Sequence, residues 1–140
     1  LADVARTALR HGATRLAVSR VGEGEALRMA GVTAPVLVMG YSSPSEAPDV
    51  VANNLTVAVG DWPVVEALNS AAGAEGRRAR VHIKVDTGMG RFGLLPEEVV
   101  AFLDSLSSLL EPLIMAVLGV LVGGLIVAMY LPLFKMGTAI

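Results

Sequence analysis

Over most of the chain, apolar positions alternate between two rhythms. Leu1, Val4, Ala5, Ala8 and Leu9 fall on one face at helical spacing, and Gly12 follows as a helix-ending residue. Leu16-Ala17-Val18 is a short apolar run that reads as a strand. A helix is expected from about Gly22 to Ala30, with Ala26, Leu27 and Ala30 inward and Gly31 as its stop. Pro35 to Met39 is apolar on both faces and reads as a second strand ending at Gly40. A short helix should span Ser45 to Ala52, capped by Ser45, with Pro48 tolerated in its first turn. Leu55 to Val59 supplies a third strand. Asp61 then caps a helix with Pro63 in its first turn and Gly73 at its end. After a polar loop carrying Arg77, Arg78 and Arg80, a fourth strand runs from Val81 to Val85, and a helix is expected from Pro96 to about Leu106.

Strands of about five residues alternating with helices of about ten imply right-handed βαβ units and a parallel sheet. Four such strands fit part of a doubly wound sheet or half of a (β/α)8 barrel, and periodicity does not choose between them. In either architecture the functional ends are the carboxyl ends of the strands. Those ends are Ser19-Arg20, Met39-Gly40-Tyr41, Val59-Gly60 and Asp86 to Gly93. The fourth strand stands out. Val81, Ile83 and Val85 point one way, and His82, Lys84 and Asp86 the other. A strand sandwiched in such a sheet should be dry on both faces, so charge here needs a reason.

Composition narrows the chemistry. The chain has 140 residues, a net charge of −2, two histidines and no cysteine. That excludes disulfides and thiolate sites, and it leaves no histidine or cysteine pattern for zinc. No basic, aromatic-studded stripe suggests nucleic acid. Charge is unevenly placed: every charged residue except Glu111 and Lys135 lies at or before Asp104. No signal peptide opens the chain.

Gly88, Gly90 and Gly93 let the backbone after the fourth strand adopt positive φ and approach a ligand, and Arg91 within the loop suits an anionic or polarised oxygen. The glycines match a dinucleotide fingerprint by letter only, because Pro96 delays the helix that should follow, and no Walker lysine is present. A structural alternative also stands: Lys84 paired with Asp86 at the rim of the sheet.

The stretch His82-Ile83-Lys84-Val85-Asp86-Thr87-Gly88-Met89-Gly90-Arg91-Phe92-Gly93 closely resembles the signature of bacterial alanine racemases. Val4 to Leu9, Arg15 to Val18, Glu25 to Arg28 and Ala34 to Gly40 resemble that family in the same order, over about residues 1–106. The resemblance implies a partial (β/α)8 TIM-type barrel, pyridoxal phosphate (PLP) as cofactor, alanine as substrate, a homodimer and a cytoplasmic location. By the same resemblance Arg91 would hydrogen-bond the phenolic oxygen of PLP. Lys84 would be carbamylated, its new negative charge holding Arg91. Met89 would line the substrate region, and His82 and Asp86 would support the site from behind. The family's Schiff-base lysine belongs to a Lys-x-x-Tyr-Gly-His-Gly type motif that does not occur here, and the chain is expected to begin just after it. The opposing tyrosine base is also missing, so the segment is expected to be inactive alone.

A different sequence follows. Pro112 to Phe134 is 23 residues without charge, long enough for a helix that crosses a membrane. Glu111 and Pro112 suit its start and Pro132 its exit. Gly119 and Gly123 with Ala116 form a small-residue strip, and Tyr130 fits an interfacial position. Residues from Leu109 to Lys135 resemble the last transmembrane helix of the inner-membrane platform proteins of type II secretion and type IV pilus systems. The expected organisation is therefore a racemase-like segment at 1–106 and a membrane segment at 107–140, joined near Leu106 as a composite and placed at a bacterial inner membrane through 109–134. A membrane-anchored piece of a secretion platform is the alternative function.

Overall fold

The computed structural model describes residues 1–109. Two compact units divide the chain, Leu1–Pro96 and Glu97–Ile140. In the first, helices and strands alternate as α1 (Ala2–Arg10), β1 (Leu16–Val18), α2 (Val21–Met29), β2 (Val36–Val38), α3 (Ala47–Ala52), β3 (Thr56–Val59), α4 (Trp62–Ala74) and β4 (Arg80–Ile83). A 3-10 turn, Pro96–Glu98, falls at the boundary, and the second unit is helical over 99–109. There Ser105 and Ser107 return their hydroxyls to the carbonyls of Ala101 and Leu103. The expected membrane helix lies outside the described residues. Among the described residues no helix is long and apolar enough to cross a membrane.

All strand pairs are parallel and the sheet order is β1-β2-β3-β4, with Leu16 opposite Val36, Leu37 opposite Thr56 and Val57 opposite Val81. A doubly wound sheet reverses its strand order and carries helices on both faces. Here the order never reverses. The side chains of Val18, Val36, Val38, Val57 and Val59 point to one face and are buried there. The helices pack against one another in sequence, α1 on α2, α2 on α3 and α3 on α4, forming one layer. The sheet is an arc of a barrel.

The opposite face corrects an expectation. His82 and Lys84 do lie on the face opposite Val81 and Ile83, but that face is not dry: both side chains are exposed, as is Ala17. Two features of the helices also differ. In α1, Leu1 and Val4 are exposed and only Ala5 is buried, and in α2, Gly24 and Leu27 turn inward while Ala26 faces out. A hydrophobic stripe gives the direction of a face but not whether anything covers it.

The helix ends share one device. At the carboxyl ends of α1 to α4 a residue in the left-handed region follows the helix, and the chain closes with a 6→1 hydrogen bond. In α4 the bond is Arg77 N–H to Ala72 O at 2.8 Å, with Gly76 at φ 63°. Gly73, expected to stop this helix, lies inside it. Gly12, Gly31 and Asn54 play the part of Gly76 after α1, α2 and α3. At the amino ends, Asp61 caps α4 by accepting from Val64 N–H at 3.2 Å, as expected. Ser43 rather than Ser45 forms the cap near α3: its capping box with Glu46 starts a 3-10 turn, Pro44–Glu46, that leads into the helix.

Below the sheet, at the end opposite the carboxyl ends of the strands, Arg28 joins three segments. Its Nε donates to Asn53 O at 2.8 Å, Nη1 to Val32 O at 2.9 Å and Ala34 O at 2.7 Å, and Nη2 to Asn54 O at 3.2 Å. The carbonyls left over at the end of α3 and in the turn before β2 thus find donors. Arg77 adds a bond to Val51 O at 3.0 Å.

Candidate functional site

The rim is built on the carboxyl ends of β2, β3 and β4. Lys84 N–H still bonds Val59 O at 2.8 Å, so pairing with β3 continues one residue past Ile83. The chain then leaves the sheet and comes back. Asp86 N–H donates to Leu94 O and Leu94 N–H to Lys84 O, each at 2.8 Å. These bonds pinch the loop 86–94 at its base.

Inside the loop, Asp86 turns its carboxylate onto its own backbone. Oδ1 accepts from Gly88 N–H at 2.9 Å and from Gly90 N–H at 3.1 Å. The Gly88 and Gly90 hydrogen bonds hold the Asp86 carboxyl below its ordinary range; partial burial opposes them, and Met89 N–H and the Lys84 charge add to them. This answers what the glycine-rich loop does. The amides of its first half are spent on Asp86 and are not free to cradle a phosphate, which weighs against the nucleotide reading. Lys84 and Asp86 are not an ion pair, because the salt bridges among the described residues are Arg6–Asp3 and Arg77–Glu75.

The loop is set down on β3 where glycine meets glycine. A Cβ added to Gly60 would lie 2.9 Å from Gly93 Cα, and one added to Gly93 would lie 3.0 Å from both Lys84 Cγ and Lys84 O. Gly93 also has φ 135°, a region that L side chains rarely adopt. The Phe92 ring meets Tyr41 edge-on, with centroids 5.9 Å apart and planes at 80°. Partial removal from water, then the charge and hydrogen bonding of Asp61, raise the Tyr41 phenol above its ordinary value.

Lys84, Asp86, Met89, Arg91 and Phe92 line one cavity of about 380 Å³ together with Met39. Arg91 is exposed and has no hydrogen-bond or ion-pair partner among the described residues. Four of the five expected site residues therefore meet on one wall. His82 does not: it lines a separate cavity of about 190 Å³ with Arg15, Leu37 and Thr56, toward the other end of the strands. No cluster of metal-ligating side chains occurs among the described residues. Tyr41 escaped the sequence reading as a site residue, although its place at the end of β2 marked the region. Ser42 escaped it too; it is 2 % exposed and its hydroxyl has no hydrogen-bond partner among the described residues.

Comparison with known proteins fits this geometry. The family described as alanine racemase, N-terminal domain, matches residues 1–120, past the join expected near Leu106. The alanine racemase of Desulforamulus reducens is 47% identical over 95 residues, which are 68% of this chain and 26% of that protein. That of Symbiobacterium thermophilum is 51% identical over 96 residues, 69% of this chain and 26% of its own length. Among solved structures, the Bacillus anthracis alanine racemase with bound L-Ala-P superposes with a TM-score of 0.65 at 39% identity, covering 74% of this chain and 27% of that one. The histidine racemase of Leuconostoc mesenteroides gives 0.70 at 28% identity, covering 77% and 29%. The chain spans about a quarter of the length of the curated relatives it matches.

Proposed function

The chain belongs to the alanine racemase N-terminal domain family, and from that premise we propose that its rim is one wall of a PLP site for amino-acid racemisation, with alanine as the substrate. Members of this family use PLP. The observation that carries the reading is the Arg91 guanidinium, unpartnered among the described residues, on the wall it shares with Lys84, Asp86 and Met89. Arg91 would donate to the phenolic oxygen of the cofactor, where a fixed cation withdraws electron density from the ring. Lys84, carbamylated, would hold Arg91 by opposite charge. Met89 would face the substrate region, and Asp86 would keep the loop in shape. His82 lies away from this wall, so its support would reach the site only through β4.

The residues present suit one edge of the cofactor and not the rest. Arg91 offers a cation to an oxygen, but the Gly88 and Gly90 amides of the same loop are already engaged by Asp86. The sequence contains two lysines, Lys84 and Lys135, and neither stands in the family's Schiff-base motif. We therefore propose that these 140 residues alone do not racemise alanine, since neither the family's Schiff-base lysine motif nor its opposing tyrosine base is found in the sequence. Any activity would need the remaining barrel, within a cytoplasmic homodimer as in the family. Titration with PLP, followed by absorbance, tests the site: saturable binding weakened at least about tenfold in Arg91→Gln supports it, and equal binding by both proteins refutes it. Mass spectrometry in bicarbonate tests Lys84 separately, as a gain of one carbon dioxide that acid removes and Lys84→Ala abolishes.

A second reading concerns 107–140. The uncharged run from Pro112 to Phe134 supports a membrane span and an inner-membrane location, with a piece of a secretion platform as the alternative origin. Resistance to carbonate extraction is the expected result, and release by carbonate would end this reading. One continuous DNA read across codons 100–115 tests the composite origin, and two separate genes there would dispose of it.

A further inference from the structure

The loop 86–94 is held firmly at two places and loosely between them. Its base is closed by the Asp86–Leu94 and Leu94–Lys84 bonds, and its first half by the Asp86 carboxylate. Arg91, Phe92 and Gly93 make no hydrogen bond among the described residues. Gly93 is located by its close approach to Gly60. That leaves Arg91 and Phe92 with one directional attachment, the edge of the Phe92 ring on Tyr41.

Tyr41 is itself well placed to act as a fixed post. The preceding residue, Gly40, donates to Ser19 O at 3.1 Å, and a Cβ there would collide with that same carbonyl, so the backbone entering Tyr41 is pressed against the end of β1. On its other side the phenol neighbours Asp61, whose carboxylate is already tied to the first turn of α4. Three strand ends thus converge on one aromatic ring. The next ring along belongs to the residue adjoining Arg91.

We infer that Tyr41 is a positioning residue: through its edge contact with Phe92 it fixes the direction in which Arg91 presents its guanidinium to the cavity. This rests on the reading of Arg91 as the cofactor-facing cation. It goes beyond that reading by assigning the orientation of Arg91 to a residue on a different strand. The contact is between rings and does not require the hydroxyl, so Tyr41→Phe should preserve it and Tyr41→Leu should not. An aromatic pair of this kind shifts an equilibrium by about 2- to 12-fold, which sets the scale of the effect.

The test uses the full chain in detergent micelles, with backbone and arginine Nε order parameters measured by NMR for the wild type, Tyr41→Phe, Tyr41→Leu and Phe92→Leu. Wild type and Tyr41→Phe should show the Phe92 amide and Arg91 Nε ordered, near about 0.8. Tyr41→Leu and Phe92→Leu should bring both below about 0.6, with thermal unfolding of the unit nearly unchanged. PLP affinity should fall about 3- to 10-fold in the two leucine variants and be retained in Tyr41→Phe. If Arg91 stays ordered in both leucine variants, or is disordered already in the wild type, the inference is wrong. Failure of the wild type to bind PLP would refute the cofactor reading instead, and the order parameters would still decide the role of Tyr41.

Discussion

Two arginines at opposite ends of one sheet are employed in opposite ways. Arg28, below the strands, sends four hydrogen bonds to the carbonyls of Val32, Ala34, Asn53 and Asn54. Arg91, above them, lines a cavity and has no partner among the described residues. A guanidinium carries five donors in a rigid fork, and its use depends on what that fork meets. Where helix ends leave carbonyls unpaired, the fork completes the backbone accounting and the residue is structural. Where the loop closes on Asp86 through the Gly88 and Gly90 amides, the fork of Arg91 is left exposed and is proposed to serve a ligand. This matches the division of labour in barrels, with stability at the amino ends of the strands and chemistry at the carboxyl ends.

Stability measurements can break this contrast most sharply. Arg28→Ala strands four carbonyls near two chain turns and should cost about 3 kcal/mol, seen as a fall of more than about 10 °C in Tm. Arg28→Lys should recover less than half of the loss, because an ammonium cannot span three segments. Arg91→Ala should change stability by less than about 0.5 kcal/mol. Similar losses at the two arginines would remove the distinction.

A middle-sized effect concerns the loop that carries Arg91. Gly93→Ala places a Cβ against Lys84 and forces an unfavourable φ, for a cost of about 1 to 3 kcal/mol. Its signature should be confined to the rim: amide shifts in 84–94 and at Gly60, with the Arg28 cluster unmoved. Shifts spreading to residues 28–34 would show that the two ends are coupled.

The smallest effect is set by pH. Asp86 has a folded pKa below its ordinary value. Its stabilising contribution is therefore present above the ordinary carboxylate range and is lost as pH falls through the depressed folded value. Asp86→Asn should remove part of the acid-side decline, read from denaturant midpoints between about pH 6 and pH 2. Because the group is solvent-accessible, the change should be modest and should shrink at high salt. An unaltered acid limb would mean that the carboxylate does not hold the loop.

Much of the rim was legible before the structure. Strand alternation put Lys84 opposite Val81 and Ile83, Asp61 and Pro63 marked the start of α4, and Asp86, Met89 and Arg91 fell together after the fourth strand. These are local relations, carried by spacing of a few residues. Arg28 was invisible because its partners Asn53 and Asn54 lie on another helix end, and no local pattern announces a side chain that reaches across. The Tyr41–Phe92 contact is hidden for the same reason, since it joins two strand ends separated by β3. Gly73 drew attention as a glycine near the end of a helix, yet the stop is set by the left-handed turn at Gly76. The exposure of His82 and Lys84 was also beyond periodicity, which orders faces but does not say what lies over them.

Arg91 is the unspent cation of the pair, and arginine Nε chemical shifts during a PLP titration test that directly. A saturable shift is expected at Arg91 Nε, absent in Arg91→Gln, with Arg28 Nε unmoved throughout. PLP that leaves Arg91 unshifted, or that shifts Arg28 equally, would contradict it.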